Sequence, residues 1–387
     1  MSQMELQIIT WLERRKRFIF GGIITLLAIW IRFVGRDFVS GDMKGFLLPW
    51  FDVIKQQGGL FSLRNQVGNY NIPYQFLMAV LTYFPFSSIY MIKIVSVLFD
   101  FVLAATAAVF ACEVRGKKSE PLFLAVYSAV LFLPTVVLNS AYWGQCDSIY
   151  TAFGLLALLY LFRKQFLQAF VCLGAAFAFK LQAVFLFPFF VYDYVLGKRF
   201  SIGYFAVILG ADYLFCVPGF FFGRSFLEPL QIYAAQTDFY HSMYLNFPSF
   251  WGILGNSYED MKSFGILFTI FVLGSGLMMA LEKRVLLEGK GFALGTVWTL
   301  WTVLLFLPAM HERYSYMLDI LLIVLGFCDR RFLKAAAVAI ISSIMTYGNY
   351  LFGNGFDCRV ISVFYVAAYI NASMLCYREF GSGYSGK

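Results

Sequence analysis

The feature that most constrains this chain is a recurrence of apolar runs about as long as a bilayer is thick. Crossing the hydrocarbon core as a helix takes about 20 apolar residues. Such runs begin at Phe18 and return throughout the 387 residues. Only 13% of the residues are charged, against about 25% in an average soluble domain, and the mean hydropathy is +0.73. The sequence therefore predicts one integral membrane domain over residues 1–387.

Backbone that faces lipid must satisfy its own hydrogen bonds, so the fold class expected is all-α and polytopic. The run over 72–86 is left out because it lies between Pro73 and Pro85 and is too short to cross easily. We interpret it as a re-entrant or interfacial segment. About twelve spans remain, at 18–34, 89–112, 120–139, 147–162, 166–179, 181–196, 201–222, 264–281, 291–308, 314–328, 332–351 and 360–377.

The basic residues lie in short clusters between these spans, which is the positive-inside pattern. With 72–86 omitted, the clusters share one face, which is then cytoplasmic together with both termini of this cell-membrane protein. The two long loops, 35–88 and 223–263, face outward. The net charge of +8 therefore needs no nucleic acid partner. The basic clusters are Arg14–Arg17, Arg115–Lys118, Arg163–Lys164, Lys198–Arg199, Lys283–Arg284 with Lys290, Arg330–Lys334 and Arg378.

Both histidines and several carboxylates fall on the outer face, although they did not set the topology. Any chemistry is therefore expected there. The sequence has no strand pattern and no Gly-rich phosphate loop, so an activated substrate is expected to come from the membrane. The seven scattered cysteines have no C-x-x-C spacing. We expect neither a metal nor a cofactor.

Two outer carboxylates stand beside helix starts. Asp42 precedes an amphipathic interfacial segment over 43–57, with Trp50 at headgroup depth. Asp147 follows Trp143 and Gln145 at the mouth of the fourth span. Each carboxylate either caps its helix or takes part in a site at the membrane surface, and the local pattern leaves both open.

Three further groups are candidates for binding. Lys180 lies at the outer end of the short fifth span, where it either snorkels to headgroups or belongs to a site. The run His311, Glu312 and Arg313 suits a phosphate or an acidic headgroup, with a surface turn as the alternative. The loop 223–263 is rich in Tyr, Gln, Asn and Trp, which suit sugar recognition as well as an ordinary interfacial loop.

The ordered set of motifs between about residues 40 and 315 resembles the GT-C superfamily of polyprenyl-phosphate-dependent glycosyltransferases. It is most similar to bacterial relatives of the GPI-anchor mannosyltransferases and of the dolichyl-phosphate-glucose-dependent glucosyltransferases. The motifs are Gly41–Asp42, Leu48–Trp50, Gly68–Tyr74, Trp143–Tyr150, Leu245–Trp251 and Met310–Tyr314.

The resemblance implies a GT-C-like fold and inverting transfer of a hexose, mannose or glucose, from a polyprenyl-phosphate donor to a glycan or lipid acceptor of the cell envelope. Asp42 then matches the catalytic base. The donor phosphate is expected to meet Arg313, His311 and Lys180. Sugar or acceptor binding is expected of Asp147, Gln145, Glu312, Trp143, Asn246 and Gln236.

Two other functions remain open. A transporter or flippase of isoprenoid-linked glycans is also all-helical, but it is expected to show polar residues from face to face or broken helices in repeated halves. In this sequence the polar residues gather on one side. An accessory subunit with an inactive fold of this type is the other, although the carboxylate of the first loop is present.

Overall fold

The computed structural model describes residues 1–237 and 239–382, and helices dominate it. The α-helices are α1 Gln3–Val34, α2 Leu48–Gln56, α3 Ile72–Leu81, α4 Ser88–Val114, α5 Glu120–Leu131, α6 Pro134–Val137, α7 Asp147–Phe162, α8 Phe166–Phe179, α9 Phe187–Gly197, α10 Tyr204–Phe221, α11 Glu228–Thr237, α12 Phe250–Leu254, α13 Tyr258–Glu282, α14 Lys290–Phe306, α15 Tyr316–Cys328, α16 Leu333–Phe352 and α17 Cys358–Ser382.

Shorter elements join these helices. The π-helical turns are Met43–Leu47 and Leu138–Trp143, and the 3₁₀ segments are Gly59–Arg64, Leu181–Leu186 and Arg330–Phe332. Two short strands, β1 Tyr244–Leu245 and β2 Met310–His311, pair in parallel. This pairing joins the second long loop, 223–263, to the segment that carries His311, Glu312 and Arg313.

Six helices of the described chain are long and apolar enough to cross a membrane: α1, α4, α10, α13, α16 with the turn before it, and α17. A seventh is counted if α5 and Pro134–Trp143, bent by 52°, form one span. Proline cannot continue the hydrogen bonding of α5, which explains a break at Pro134. The prediction of an all-α, membrane-embedded protein is confirmed. Helices also occur at the other predicted spans, but they are shorter, so the count of about twelve stays a prediction.

The outer surface of the helices is apolar, as lipid contact requires. On α1, Phe20, Leu26 and Trp30 are all exposed, and on α13 so are Leu267 and Phe271. Contiguous apolar surface of this kind is rare on soluble monomers.

The segment after Asn71 forms the ten-residue α3, which is about 15 Å long and too short to cross the hydrocarbon core.

A buried ion pair fastens α1 to the helices behind it. Arg32 Nε lies 2.7 Å from Asp100 Oδ2, and their side chains are only 2% and 0% exposed. Ser140 Oγ donates to the same carboxylate at 2.5 Å, and Arg32 also donates to the carbonyl of Leu131 at 3.1 Å. Because a buried charge is costly without a partner, this pair fixes α1, α4 and the α5 region to one another.

Lys93 fixes the exit from α1 in a second way. Its buried ammonium donates to the carbonyls of Gly35, Arg36 and Phe38. These carbonyls lie just beyond the last turn of α1. At the end of a helix the backbone carbonyls have no partner within the helix, so a side-chain donor is needed there. The first long loop therefore leaves α1 in a defined direction.

Most of the connectors predicted to be cytoplasmic contact one another. Their ion pairs are Arg17–Glu120, Arg163–Glu113, Arg331–Glu379 and Lys290–Asp329. These contacts place the connectors at one end of the helix bundle. Which membrane face that end occupies stays a prediction.

Asp100→Ala should destabilise the protein by about 3–5 kcal/mol, because it leaves Arg32 buried without its counter-ion. Glu120→Gln is the matched control: it breaks the exposed pair with Arg17 and should change stability by no more than about 1 kcal/mol. Thermal unfolding of the two purified variants in detergent measures both effects. Equal midpoints for the two variants would contradict the role of the buried pair.

Candidate functional site

The carboxylate of Asp42 is held by side chains from distant parts of the chain. Its Oδ2 accepts hydrogen bonds from Trp143 Nε1 and Gln145 Nε2, both at 2.8 Å. Arg313 approaches the same oxygen at 3.4 Å, and the hydroxyl of Tyr350 donates to Oδ1. With 17% of its side chain exposed, Asp42 is fixed in orientation and still open to a small ligand.

Asp42 does not cap the helix that it precedes. No capping hydrogen bond from its side chain is present. Ser40 has that role, since its Oγ accepts from the backbone N–H of Met43 at 3.2 Å and donates to the carbonyl of Trp143 at 2.8 Å. The capping interpretation of Asp42 is therefore wrong, and its carboxylate faces the site instead.

Two glycines in these motifs permit the close packing around Asp42. Gly144 has φ +76°, and a Cβ there would lie 2.7 Å from the sulfur of Met43. Gly68 has φ +78°, and a Cβ there would lie 2.6 Å from the ring of Trp50. Left-handed backbone and the lack of a side chain are both required at these positions.

The second carboxylate, Asp147, forms a buried ion pair with Lys180. The Lys180 ammonium donates to Oδ1, and Asn139 Nδ2 donates to Oδ2 at 2.7 Å. The side chains of Lys180 and Asp147 are 4% and 1% exposed. Lys180 therefore does not snorkel to headgroups, and the carboxylate of Asp147 binds side chains instead of capping α7.

Arg313 lies between the two carboxylates. Its NH1 is 3.4 Å from Asp42, and its Nε is 3.9 Å from Asp147. Burial alone would lower the pKa of Arg313, but the negative charges of the nearby carboxylates Asp147 and Asp42 hold that pKa above its usual value. The guanidinium therefore remains charged, and it connects the group around Asp42 with the ion pair of Asp147.

Aromatic rings surround these cations. The guanidinium of Arg313 lies 5.7 Å from the ring centroid of Trp143, and the ammonium of Lys180 lies 5.6 Å from that of Tyr70, which are cation–π distances. Burial raises the pKa of Tyr70 well above its ordinary value. Its hydroxyl stays protonated and donates to Gln145 Oε1 at 2.9 Å.

Two cavities meet at this cluster. The larger, of about 520 Å³, has mainly apolar walls, with Lys180 and Arg313 among its lining residues. The smaller, of about 40 Å³, lies against Asp42 and Gln145. Tyr70 and Arg313 line both. The cations are thus presented to an apolar cavity and the Asp42 carboxylate to the small cavity beside it.

His311 and Glu312 lie behind the cavity walls. Both are buried, and neither is among the residues that line the two cavities. The ring of His311 packs edge-on against Tyr240 at 4.4 Å, and Nδ1 is 3.6 Å from Glu312. Burial lowers the pKa of His311, which makes it neutral near pH 7. The motif is no surface turn, but the structure does not bring His311 to the place expected for a phosphate.

The two candidates from the second long loop are engaged with the protein. Asn246 donates to the carbonyl of Thr346 at 2.9 Å and accepts from Asn349 at 3.2 Å, which fastens this loop to α16. Gln236 lines the larger cavity, but its amide donates to the carbonyl of Asn69. In neither Asn246 nor Gln236 are both amide N–H groups free to bind a sugar.

Sequence reasoning missed Tyr350, which lies near the end of α16. Its ring stacks on Trp143 at 4.3 Å with an interplanar angle of 13°, and its hydroxyl reaches Asp42. A tyrosine at the outer end of a predicted span also fits an aromatic belt. No local pattern distinguishes the two roles.

Among the described residues, no group of three or more His, Cys, Asp or Glu side chains is arranged to hold a metal ion. Comparison with protein-family models gave no match. Comparison with curated proteins found none with significant sequence similarity. What the site does chemically therefore has to be argued from its own geometry.

Lys180→Met should destabilise the protein by about 3–5 kcal/mol, because Asp147 is then buried without its ammonium partner. The double variant Lys180→Met/Asp147→Leu should recover much of that loss. Lys44→Met, at an exposed position of the first loop, is the control and should cost less than about 0.5 kcal/mol. Thermal unfolding of the three variants measures this, and a double variant less stable than Lys180→Met would contradict the pairing.

Proposed function

We propose that this chain is an inverting glycosyltransferase that moves a hexose from a polyprenyl-phosphate donor to a hydroxyl of a glycan or lipid acceptor. One observation carries the proposal. A fixed carboxylate, Asp42, borders a small cavity that shares Arg313 with a larger apolar cavity. A base, a phosphate-binding cation and space for a lipid are thus adjacent.

The larger cavity suits the lipid part of the donor. Its walls include Val184, Phe185 and Ile266, and Ile266 belongs to α13, whose outer surface is exposed and apolar. The charged residues in the described wall are all cations, and Arg313 is the one nearest to Asp42. An amphiphile with an anionic group at the inner end and an apolar chain toward the membrane matches this distribution.

Arg313 is the main candidate for the donor phosphate. Guanidinium has five N–H donors and binds phosphate with a planar fork. The contacts of Arg313 with Asp42 and Asp147 are long, at 3.4 and 3.9 Å, so donors remain for a ligand. Lys180 is paired with Asp147, and it contributes its positive charge from the wall of the larger cavity.

The reaction needs one displacement. The acceptor oxygen forms a bond to the anomeric carbon while the bond from that carbon to the phosphate oxygen breaks. The electron pair leaves with the phosphate, where Arg313 stabilises the developing charge. The hydroxyl proton passes to Asp42. Attack from the face opposite the leaving group inverts the anomeric carbon.

The finer topology belongs to the same proposal. About twelve spans follow from the apolar runs, and both termini in the cytoplasm and a site outside the cell membrane follow from the charge of the connectors. The mutual ion pairs of those connectors support a single basic end. Donor and acceptor would then meet at the outer leaflet.

Asp42→Asn should lower the transfer rate by about 10²–10⁴-fold, since the amide cannot accept the proton. Asp52→Asn, an exposed carboxylate of the same loop, should leave the rate unchanged. The measurement is transfer of radiolabelled mannose or glucose from synthetic polyprenyl-phosphate donors, with cell-envelope lipids as acceptor. An active Asp42→Asn enzyme would remove Asp42 as the base.

The same preparation tests the other two functions. Reconstituted vesicles that flip an isoprenoid-linked glycan without transferring sugar would identify a transporter. If neither transfer nor flipping occurs, and Asp42→Asn still functions in cells, the chain is an accessory subunit.

Arg313→Lys should lower kcat/KM by at least about 10-fold, because an ammonium keeps the charge but loses the planar fork. Arg313→Gln should lower it by about 10²–10³-fold, as loss of a transition-state donor does. Arg64→Gln, an exposed arginine of the same loop as Asp42, is the control. Initial rates over a range of donor concentrations separate kcat from KM, and full activity of Arg313→Gln would contradict the role.

A further inference from the structure

A third cavity, of about 440 Å³, lies between α9, α13, α14 and α17. It shares none of its lining residues with the two cavities of the candidate site. Its size is in the range of ordinary ligand pockets, about 300–1,000 Å³. The proposed glycosyl transfer does not use it.

This cavity and the candidate site lie at opposite ends of the same helices. On α13, Tyr258 and Ile266 line the larger cavity of the site, whereas Met279 and Ala280 line the third cavity. The 25 residues of α13 span about 37 Å, which exceeds the hydrocarbon thickness of about 30 Å. Lys283 and Arg378, which line the third cavity, belong to two of the basic connectors, so the cavity lies at the end of the helix bundle that carries them.

Two aromatic side chains of its wall, Trp298 and Tyr192, use their polar atoms within the protein. Trp298 Nε1 donates to Ser373 Oγ at 3.1 Å, and the hydroxyl of Tyr192 donates to the carbonyl of Leu273. What these rings present to the cavity is therefore apolar. Gly276 permits this arrangement, since a Cβ there would lie 2.3 Å from the ring of Trp298.

Charge occurs in the described wall only as Lys283 and Arg378, with no carboxylate among the lining residues. Arg378 is exposed and Lys283 is half-buried. The Lys283 ammonium lies 3.2 Å from the ring centroid of Tyr377, which orients it beside the last turns of α17. The cavity therefore combines an apolar interior with two cations.

We propose that this cavity binds an anionic glycerophospholipid of the leaflet on that side, with one acyl chain inside and the phosphate against Lys283 and Arg378. Basic pockets between membrane helices bind such headgroups, and arginine and lysine both bind phosphate. The charge complementarity excludes a neutral lipid as the preferred occupant. The proposal does not depend on glycosyl transfer.

Native mass spectrometry of the full chain, delipidated in detergent, tests this with palmitoyl-oleoyl phosphatidylglycerol and the matching phosphatidylcholine. We expect the anionic lipid to bind at least about 10-fold more tightly, because two basic residues near the headgroup attract its net negative charge. Lys283→Gln/Arg378→Gln should bring the two lipids within about 2-fold. Lys117→Gln/Lys118→Gln, which removes two exposed lysines of another basic connector, should keep the preference.

Ala280→Phe tests the acyl-chain part independently, because it fills the cavity and leaves both cations in place. It should abolish the tight binding of phosphatidylglycerol, and glycerol phosphate should not compete with the lipid in the wild type. Competition by glycerol phosphate would identify a site for free phosphate esters instead. Equal binding of both lipids by the wild type, or an unchanged preference in Lys283→Gln/Arg378→Gln, would overturn the proposal.

Discussion

The π-helical turn Leu138–Trp143 is the element on which the arrangement of the site depends. Three carboxylates from separate parts of the fold accept a hydrogen bond from its side chains. A π turn has hydrogen bonds between residues five apart, instead of four as in an α-helix, so it holds one extra residue. Neighbouring side chains therefore point in directions that a regular α-helix would not give them. The bonds are Asn139 to Asp147 at 2.7 Å, Ser140 to Asp100 at 2.5 Å and Trp143 to Asp42 at 2.8 Å.

This turn couples the fold to the site. Asp100 pairs with Arg32 inside the bundle, so the placement of α1 and the placement of Asp42 share one rigid element. The break at Pro134 directs the chain into the turn. Hydrogen bonds within a buried polar network make a structure rigid, which is what a carboxylate acting on a small ligand requires.

The sequence predicted the helices and much of the cluster, because hydropathy and loop charge are local signals. Asp42, Gln145, Asp147, Lys180 and Arg313 were all placed on one face, and the structure brings them together. Helix length could not be predicted, since proline breaks and 3₁₀ segments shorten several apolar runs.

Contacts between distant segments were beyond local patterns. Tyr350 reaches Asp42 across 308 positions, and its neighbours in sequence give no sign of it. His311 lies two residues before Arg313 in the same motif, yet β1–β2 pairing turns it behind the cavity wall. The capping alternative for Asp42 is excluded because Ser40, two residues earlier, caps the helix with its hydroxyl.

The charge balance of the site connects donor binding to the surroundings of the proposed base. Arg313 and Lys180 are both compensated by carboxylates, but only Lys180 is bonded at short range. A phosphate beside Arg313 would compete with Asp42 for the guanidinium across a contact of 3.4 Å, which is weaker than a hydrogen bond of ordinary length. Asp42 would then keep its hydrogen bonds from Trp143 and Gln145 but lose its contact with a positive charge. Arg313 would thereby link occupation of the lipid cavity to the chemistry at the small one.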